Sequence, residues 1–72
     1  MPVVTIRLAR REPATTREQK AQLIDGATQL LQAVLGKRRE DVVVPIDEID
    51  PDNWGQGGES ASALRERRRS RA

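Results

Sequence analysis

The sequence predicts an α/β (α+β) fold, a β-α-β unit of two parallel strands and one long helix followed by a short C-terminal hairpin. Three segments carry this prediction: alternating apolar residues over 2–8, apolar residues at helical spacing over 17–35, and a β-branched run over 42–49. A strand, a long helix and a second strand make a right-handed crossover with parallel strands. Two strands under one helix are too few for a stable domain, so we expect oligomerisation to complete the sheet.

The first strand has one uniformly apolar side. Its side chains alternate between two faces, so Val4, Ile6 and Leu8 share one of them. The loop that follows carries Arg10 and Arg11 and contains a proline that rules out a central strand there. The first strand therefore ends before this loop.

The long helix has start and stop signals of its own. Thr15 and Thr16 are both suitable N-caps, and each has a partner three residues on, Glu18 and Gln19, that completes a capping box. Gly36 tolerates the left-handed conformation that commonly ends a helix. These signals predict a helix from about residue 17 to residue 35.

The second strand and the segment after it are marked by proline and glycine. Pro45 removes one backbone donor, so we expect the strand pairing to be distorted there. The glycine-rich segment 50–59 predicts tight turns or a small hairpin. Trp54, the only aromatic residue of the chain, lies within it and is expected to be a packing anchor or a pocket wall.

Size and composition limit the function. The chain has 72 residues with no cysteine and no histidine, which argues against disulfides and against zinc, iron or copper. This length allows one domain, which we assign to residues 1–64. Because a chain of this size buries little apolar surface and has no disulfide, we expect self-association to stabilise it. No apolar run approaches the roughly 18 residues that cross a bilayer, and no secretory signal layout is present, so we expect a cytoplasmic protein without a membrane partner.

The positive charge is concentrated at the C-terminus. The net charge is +2, and residues 65–72 hold five arginines against one glutamate, so residues 1–64 carry −2. We expect residues 65–72 to be a disordered, solvated tail. No aromatic residue is available there to stack a base, which argues against nucleic acid as the partner.

Pro2 is a candidate catalytic residue. If Met1 is removed, as is usual before a small second residue, the ring nitrogen of Pro2 becomes a secondary amine and a possible base. Inside a chain the same nitrogen is an amide without useful basicity.

Four features in their order resemble one enzyme family. They are Met1 and Pro2 opening a strand, Glu18, Gln19 and Lys20 starting an amphipathic helix, the valine-rich second strand, and the run Asn53, Trp54, Gly55, Gln56, Gly57 and Gly58. Each is weak alone, but their order and spacing over residues 2–60 are specific. The chain resembles the 4-oxalocrotonate tautomerase family, small enzymes with a catalytic N-terminal proline.

The resemblance implies an assembly and a reaction. It implies a homohexamer, a trimer of dimers, with each proline in a pocket completed by neighbouring subunits. It also implies an isomerase of aromatic-compound degradation that converts 2-hydroxy dienoate acids into 2-oxo acids without a cofactor. The proline amine is the general base and acid, and an apolar wall with nearby arginines lowers the pKa of such an amine toward the useful range.

Site residues follow from the same resemblance. Pro2 matches the catalytic proline and Trp54 the aromatic pocket wall. Glu12 occupies the place of the family's first arginine, but the loop is three residues longer here, so Arg11 is the expected catalytic and substrate-binding equivalent and Arg10 the alternative. Counting back from Trp54, the second family arginine is replaced by Val43.

The valine at position 43 leaves several functions open. In one alternative, another arginine replaces the missing cation: Arg7, Arg38 or Arg39. In a second alternative, the protein is a heterohexamer in which an unlike chain supplies the cation and this chain is weakly active or structural. A related proline-dependent hydratase, dehalogenase or decarboxylase is a further alternative. A small DNA-binding protein of the ribbon-helix-helix kind would need a second helix where this sequence has valines and glycines.

Overall fold

The structure, a computed structural model, describes residues 1–71. Two helices and four strands follow one another as β1 (Ile6–Ala9), α1 (Arg17–Leu35), β2 (Ile46–Ile49), β3 (Gly55–Gln56), β4 (Glu59–Ser60) and α2 (Ala61–Arg71). β1 and β2 pair in parallel, and β3 and β4 form an antiparallel hairpin. The predicted β-α-β unit with a C-terminal hairpin is confirmed.

Parallel pairing extends beyond the two regular strands. Ile6 lies opposite Ile46 in the register of β1 and β2. Before β1, the backbone N–H of Val43 donates to the carbonyl of Pro2 at 3.0 Å, and after it the N–H of Arg10 donates to the carbonyl of Ile49 at 2.8 Å. One extended segment therefore runs from Pro2 to Arg10.

Pro45 interrupts this ladder, as the sequence predicts. The N–H groups of Val4 and Ile6 donate to the carbonyls of Val43 and Pro45 at 2.9 and 3.0 Å. In this parallel pattern residue 45 would donate in return to the carbonyl of Val4, but proline has no N–H. Regular β2 consequently begins at Ile46, and the strand predicted from residue 42 is present before it only as the parallel bridge between Val3 and Val43.

α1 has the predicted bounds because both of its ends are determined locally. The Thr16 hydroxyl accepts from the N–H of Gln19 at 3.1 Å, and the Gln19 side chain accepts from the N–H of Thr16 at 2.9 Å. Gly36 ends the helix with φ 65°, and its N–H donates to the carbonyl of Gln32 at 3.0 Å. Of the two candidate caps, Thr16 is the one used.

The single chain has almost no interior. Among residues 1–70 only Thr28 and Ala61 are buried. Large apolar side chains of α1 and of the outer sheet surface are exposed instead: Met1, Val3, Leu23, Ile24, Leu30, Val34, Leu35 and Val43. The apolar stripe that the sequence places on α1 is therefore mostly uncovered in one subunit.

The C-terminal segment differs from the prediction. Residues 61–71 form α2, where the sequence predicted a disordered tail from residue 65; Ala72 lies outside the described residues. The segment forms a helix because arginine, alanine, leucine and glutamate all have high helix propensity, which a high density of like charge does not cancel. Arg67 also pairs with Glu59 at 2.8 Å, which ties α2 to β4. Within residues 1–71, neither helix is long and apolar enough to cross a bilayer.

Candidate active site

Pro2, Val3 and Val43 lie together at one end of the parallel sheet, which we call the proline end. Val3 and Val43 form a parallel bridge, and Val43 donates its N–H to the carbonyl of Pro2. Pro2 is half-buried, whereas Val3 and Val43 are 58% and 41% exposed. The side chain at position 43 brings neither charge nor a hydrogen-bond donor to this end.

A cavity of about 590 Å³ lies at the opposite end of the sheet, which we call the arginine end. Arg11 and Trp54 both line it, together with Leu8 and Leu64. The polar part of its wall comes from Thr15, Thr16, Gln19, Gln56 and the arginines 7, 65 and 68. This arrangement combines an aromatic wall with several cations.

The two candidate arginines of the loop occupy different places. Arg11 lines the large cavity, but Arg10 does not. Arg10 lines a smaller cavity of about 280 Å³ beside Asp50 and Asp52, and Arg11 borders both cavities. Arg11 is therefore the loop arginine that shares a cavity with Trp54.

Trp54 is positioned by a short turn and by α2. The Asp50 carboxylate accepts from the N–H of Asp52 at 2.9 Å and caps a 3₁₀ turn over Pro51–Asn53. Trp54 follows directly, and its carbonyl accepts from the N–H of Ala61 at 2.7 Å. The indole-bearing residue is thus held between this turn and the first turn of α2.

Pro2 and the arginine end of the same chain are far apart. Five residues of the extended segment separate Pro2 from Arg7, the first residue of β1 that lines the large cavity, which at about 3.3 Å per residue amounts to roughly 17 Å. A small substrate cannot span such a distance. The sequence-predicted site residues therefore separate within one chain into Pro2 with Val43, and Arg11 with Trp54.

The arginines expected to replace the missing cation are differently engaged. Arg38 lies 3.0 Å from Asp41, and Arg39 lies 2.6 Å from Asp25, so each already has an acidic partner. Arg7 lines the cavity at the arginine end. In the parallel ladder of this subunit, the residue beside Pro2 is Val43 and not Arg7, Arg38 or Arg39.

Two cavity residues were missed from the sequence. Arg65 and Arg68 of α2 line the large cavity, although the sequence predicts a disordered tail for residues 65–72. Ala61, Leu64, Arg65 and Arg68 recur at steps of three and four, which is the spacing of one helical face. This helical spacing is the feature of the sequence that could have predicted α2 and its cavity-facing arginines.

Comparison with known proteins agrees with this fold. The model of the family described as Tautomerase enzyme matches residues 2–64. The chain is 52% identical over 66 residues to probable tautomerase K2 of Dickeya dadantii, covering 92% of this chain and 96% of that protein.

Solved structures give the same result. The structure of DmpI from Helicobacter pylori superposes with a TM-score of 0.86 at 45% identity, covering 90% of this chain and 97% of that one. A structure of the 4-oxalocrotonate tautomerase isozymes from Methylibium petroleiphilum gives 0.77 at 38% identity, covering 88% and 97%. The chain belongs to the tautomerase family.

Proposed function

We propose that this protein is a cofactor-independent keto-enol tautomerase that converts 2-hydroxy dienoate acids into 2-oxo acids, with Pro2 as general base and acid. Membership of the tautomerase family supports an isomerase. The observation that carries the proposal is the division of the site residues into two ends of one sheet. The proline end would supply the amine of Pro2 but has no cation. The arginine end has a cationic cavity with an aromatic wall but no such amine.

The complete site is formed by two subunits in this proposal. The exposed apolar residues of α1, such as Leu30 and Val34 at 60% and 68% exposure, support an assembly that covers them. A homohexamer built as a trimer of dimers would bring the proline end of one chain against the arginine end of another. Both halves of the site then come from identical chains.

Pro2 moves the proton in the proposed reaction. Once Met1 is removed, the neutral ring nitrogen takes the proton of the 2-hydroxyl group. The electron pair shifts along the diene, and the protonated nitrogen returns the proton to a distant carbon. No redox change and no net proton transfer to water occur. In the proposed assembly Trp54 of a neighbouring chain forms the apolar wall of the site and excludes water from it.

Arg11 binds the substrate and stabilises the charge that develops on it. Its guanidinium offers paired N–H donors that match the far carboxylate of the substrate, and this fixed cation draws electron density along the diene as negative charge develops. Arg11 has this role rather than Arg10, because only Arg11 lines the cavity beside Trp54.

The test is ketonisation of 2-hydroxymuconate by the purified chain, followed by its ultraviolet change, with loss of Met1 checked by mass. Pro2→Ala lowers kcat/KM by roughly a hundredfold or more, the usual contribution of a general acid–base. Alanine is also small, so Met1 removal is the same in both proteins. Pro45→Ala is the matched control, because it makes the same substitution away from the N-terminus, and it keeps most of the activity. Full activity in correctly processed Pro2→Ala contradicts the proposal.

A second candidate function is a structural subunit of a heterohexamer with an unlike tautomerase chain. The apolar side chain of Val43 beside Pro2 favours it, since no cation is available there from the same strand pair. In this case the purified chain turns over poorly and gains activity on co-expression with the unlike chain. Rapid turnover by the chain alone excludes it.

A further inference from the structure

α2 presents two arginines to the cavity at the arginine end. Arg65 and Arg68 are three residues apart, so they lie on one face of the helix. Both line the large cavity with Arg11 and Trp54, and all three arginines also line an adjoining cavity of about 560 Å³.

The charged residues that line the large cavity are all positive. Four arginines line it (Arg7, Arg11, Arg65 and Arg68), and its lining contains no aspartate or glutamate. Glu12 lines the adjoining cavity but not this one. Arg7 lies 3.8 Å from Asp47 across exposed side chains, a pairing that neutralises little. A cleft lined by one sign of charge concentrates ions of the opposite sign, so this cavity favours an anion.

Of the two arginines of α2, Arg65 is held in place by a hydrogen bond, and both have donors available. Arg65 donates through Nη1 to the carbonyl of Arg10 at 2.7 Å, which fixes its guanidinium beside the loop. A guanidinium has five N–H donors, so most of those on Arg65 remain. Arg68 forms no ion pair or hydrogen bond with the other described residues.

We propose that Arg65 and Arg68 are substrate-binding residues that, together with Arg11, bind a carboxylate at the end of the substrate remote from its reacting enol. The inference rests on the proposed function, since it assigns the second charged group of the same substrate. The preferred ligand is then a dicarboxylate whose hydrocarbon chain lies against Trp54 and Leu64.

Trp54 gives a direct binding assay. It is the only tryptophan of the chain and it lines the cavity, so its fluorescence reports occupancy without turnover. The two probes are trans,trans-muconate and sorbate, six-carbon dienes that differ by one carboxylate in place of a methyl group. Muconate is expected to bind at least about tenfold more tightly, because a charge-assisted hydrogen-bonded pair is made only with its second carboxylate.

Variants of Arg68 identify the source of that preference. Arg68→Gln weakens muconate binding by about tenfold and changes sorbate binding by less than about twofold. Arg68→Lys keeps the charge and retains part of the preference, and both replacements are good helix formers. Lys37→Gln removes one positive charge from an exposed position that lines none of these cavities, and it leaves both affinities unchanged.

Failure of this inference is distinguishable from failure of the proposed function. Equal binding of the two dienes, binding of neither, or an unchanged muconate preference in Arg68→Gln overturns the inference, even if 2-hydroxymuconate is turned over. A preference that depends on Arg68, with no turnover of 2-hydroxymuconate, supports the inference and contradicts the tautomerase reaction. Helix content by circular dichroism checks that Arg68→Gln and Arg65→Gln remain folded. A loss of muconate preference in folded Arg65→Gln supports the same conclusion independently.

Discussion

The proline end and the arginine end of the parallel sheet are built by different means. At the proline end, backbone hydrogen bonds between Pro2, Val4 and Val43 set the geometry, and the flanking side chains are apolar. At the arginine end, a loop, a 3₁₀ turn, a hairpin and α2 converge, and side chains set the geometry. Arg65, for example, reaches back across the chain to the carbonyl of Arg10.

This difference matches the two requirements of the proposed reaction. In that proposal the proline end needs only a processed N-terminus on a strand, because the proposed base is the backbone nitrogen of Pro2. The arginine end needs cations and an aromatic wall drawn from positions 11, 54, 65 and 68, which are distant in sequence. The roughly 17 Å between Pro2 and the nearest strand residue of the cavity, Arg7, favours a site that is shared between two chains.

Mixing two defective chains is the strongest test of this division. Pro2→Ala damages only the proline end and Arg11→Gln only the arginine end, and each alone is expected to lose roughly a hundredfold in kcat/KM. When the two variants are co-expressed and assemble at random, about a quarter of the sites combine an intact Pro2 with an intact Arg11. Ketonisation of 2-hydroxymuconate should therefore recover to about that fraction of the unmodified activity.

The control for this experiment pairs Pro2→Ala with a chain that carries both substitutions. No site in that mixture has both groups, so its activity stays at the level of Pro2→Ala. If the first mixture is equally inactive, the two groups act within one chain and the division into two half-sites is wrong.

A cation added at the proline end should make the two ends more alike. Val43 is exposed and adjacent to Pro2, so Val43→Arg introduces a carboxylate partner beside the base. We expect kcat/KM for 2-hydroxymuconate to rise by roughly tenfold, the contribution of one charge-assisted hydrogen bond. Val43→Gln has similar length without the charge and should give no such gain. An unchanged kcat/KM with Val43→Arg would show that the side chain at this position does not face the substrate.

The smallest expected effect concerns the start of α1 at the arginine end. Thr16→Ala removes the side-chain cap and should lower the free energy of unfolding by about 1 kcal/mol. Thr15→Ala changes a neighbour that does not cap the helix, and its effect should stay within about 0.5 kcal/mol. Chemical denaturation at one protein concentration measures both, since the stability of an oligomer depends on concentration. Equal losses would mean that Thr15 shares the capping role.

Some site residues were predictable and others were not. Pro2, Arg11, Trp54 and Val43 could be proposed from the sequence because they lie in segments whose order and spacing match a family pattern, and their roles stay predictions. Arg65 and Arg68 were missed because their charge indicated a tail, whereas their helical spacing and their contacts with residues far away in the chain place them at the cavity. Arg10 and Arg11 could not be separated by sequence, because adjacent residues in a loop have no fixed periodicity.

The sequence by itself determined α1, its capping box and its end at Gly36, because these depend on contacts within about four residues. It also determined the break at Pro45, since a missing N–H is a property of the residue. Only the tertiary structure decided that Pro2 and Arg11 lie at opposite ends and that α2 joins the cavity. Both depend on strand register and on contacts between residues up to 55 positions apart, which no local pattern encodes.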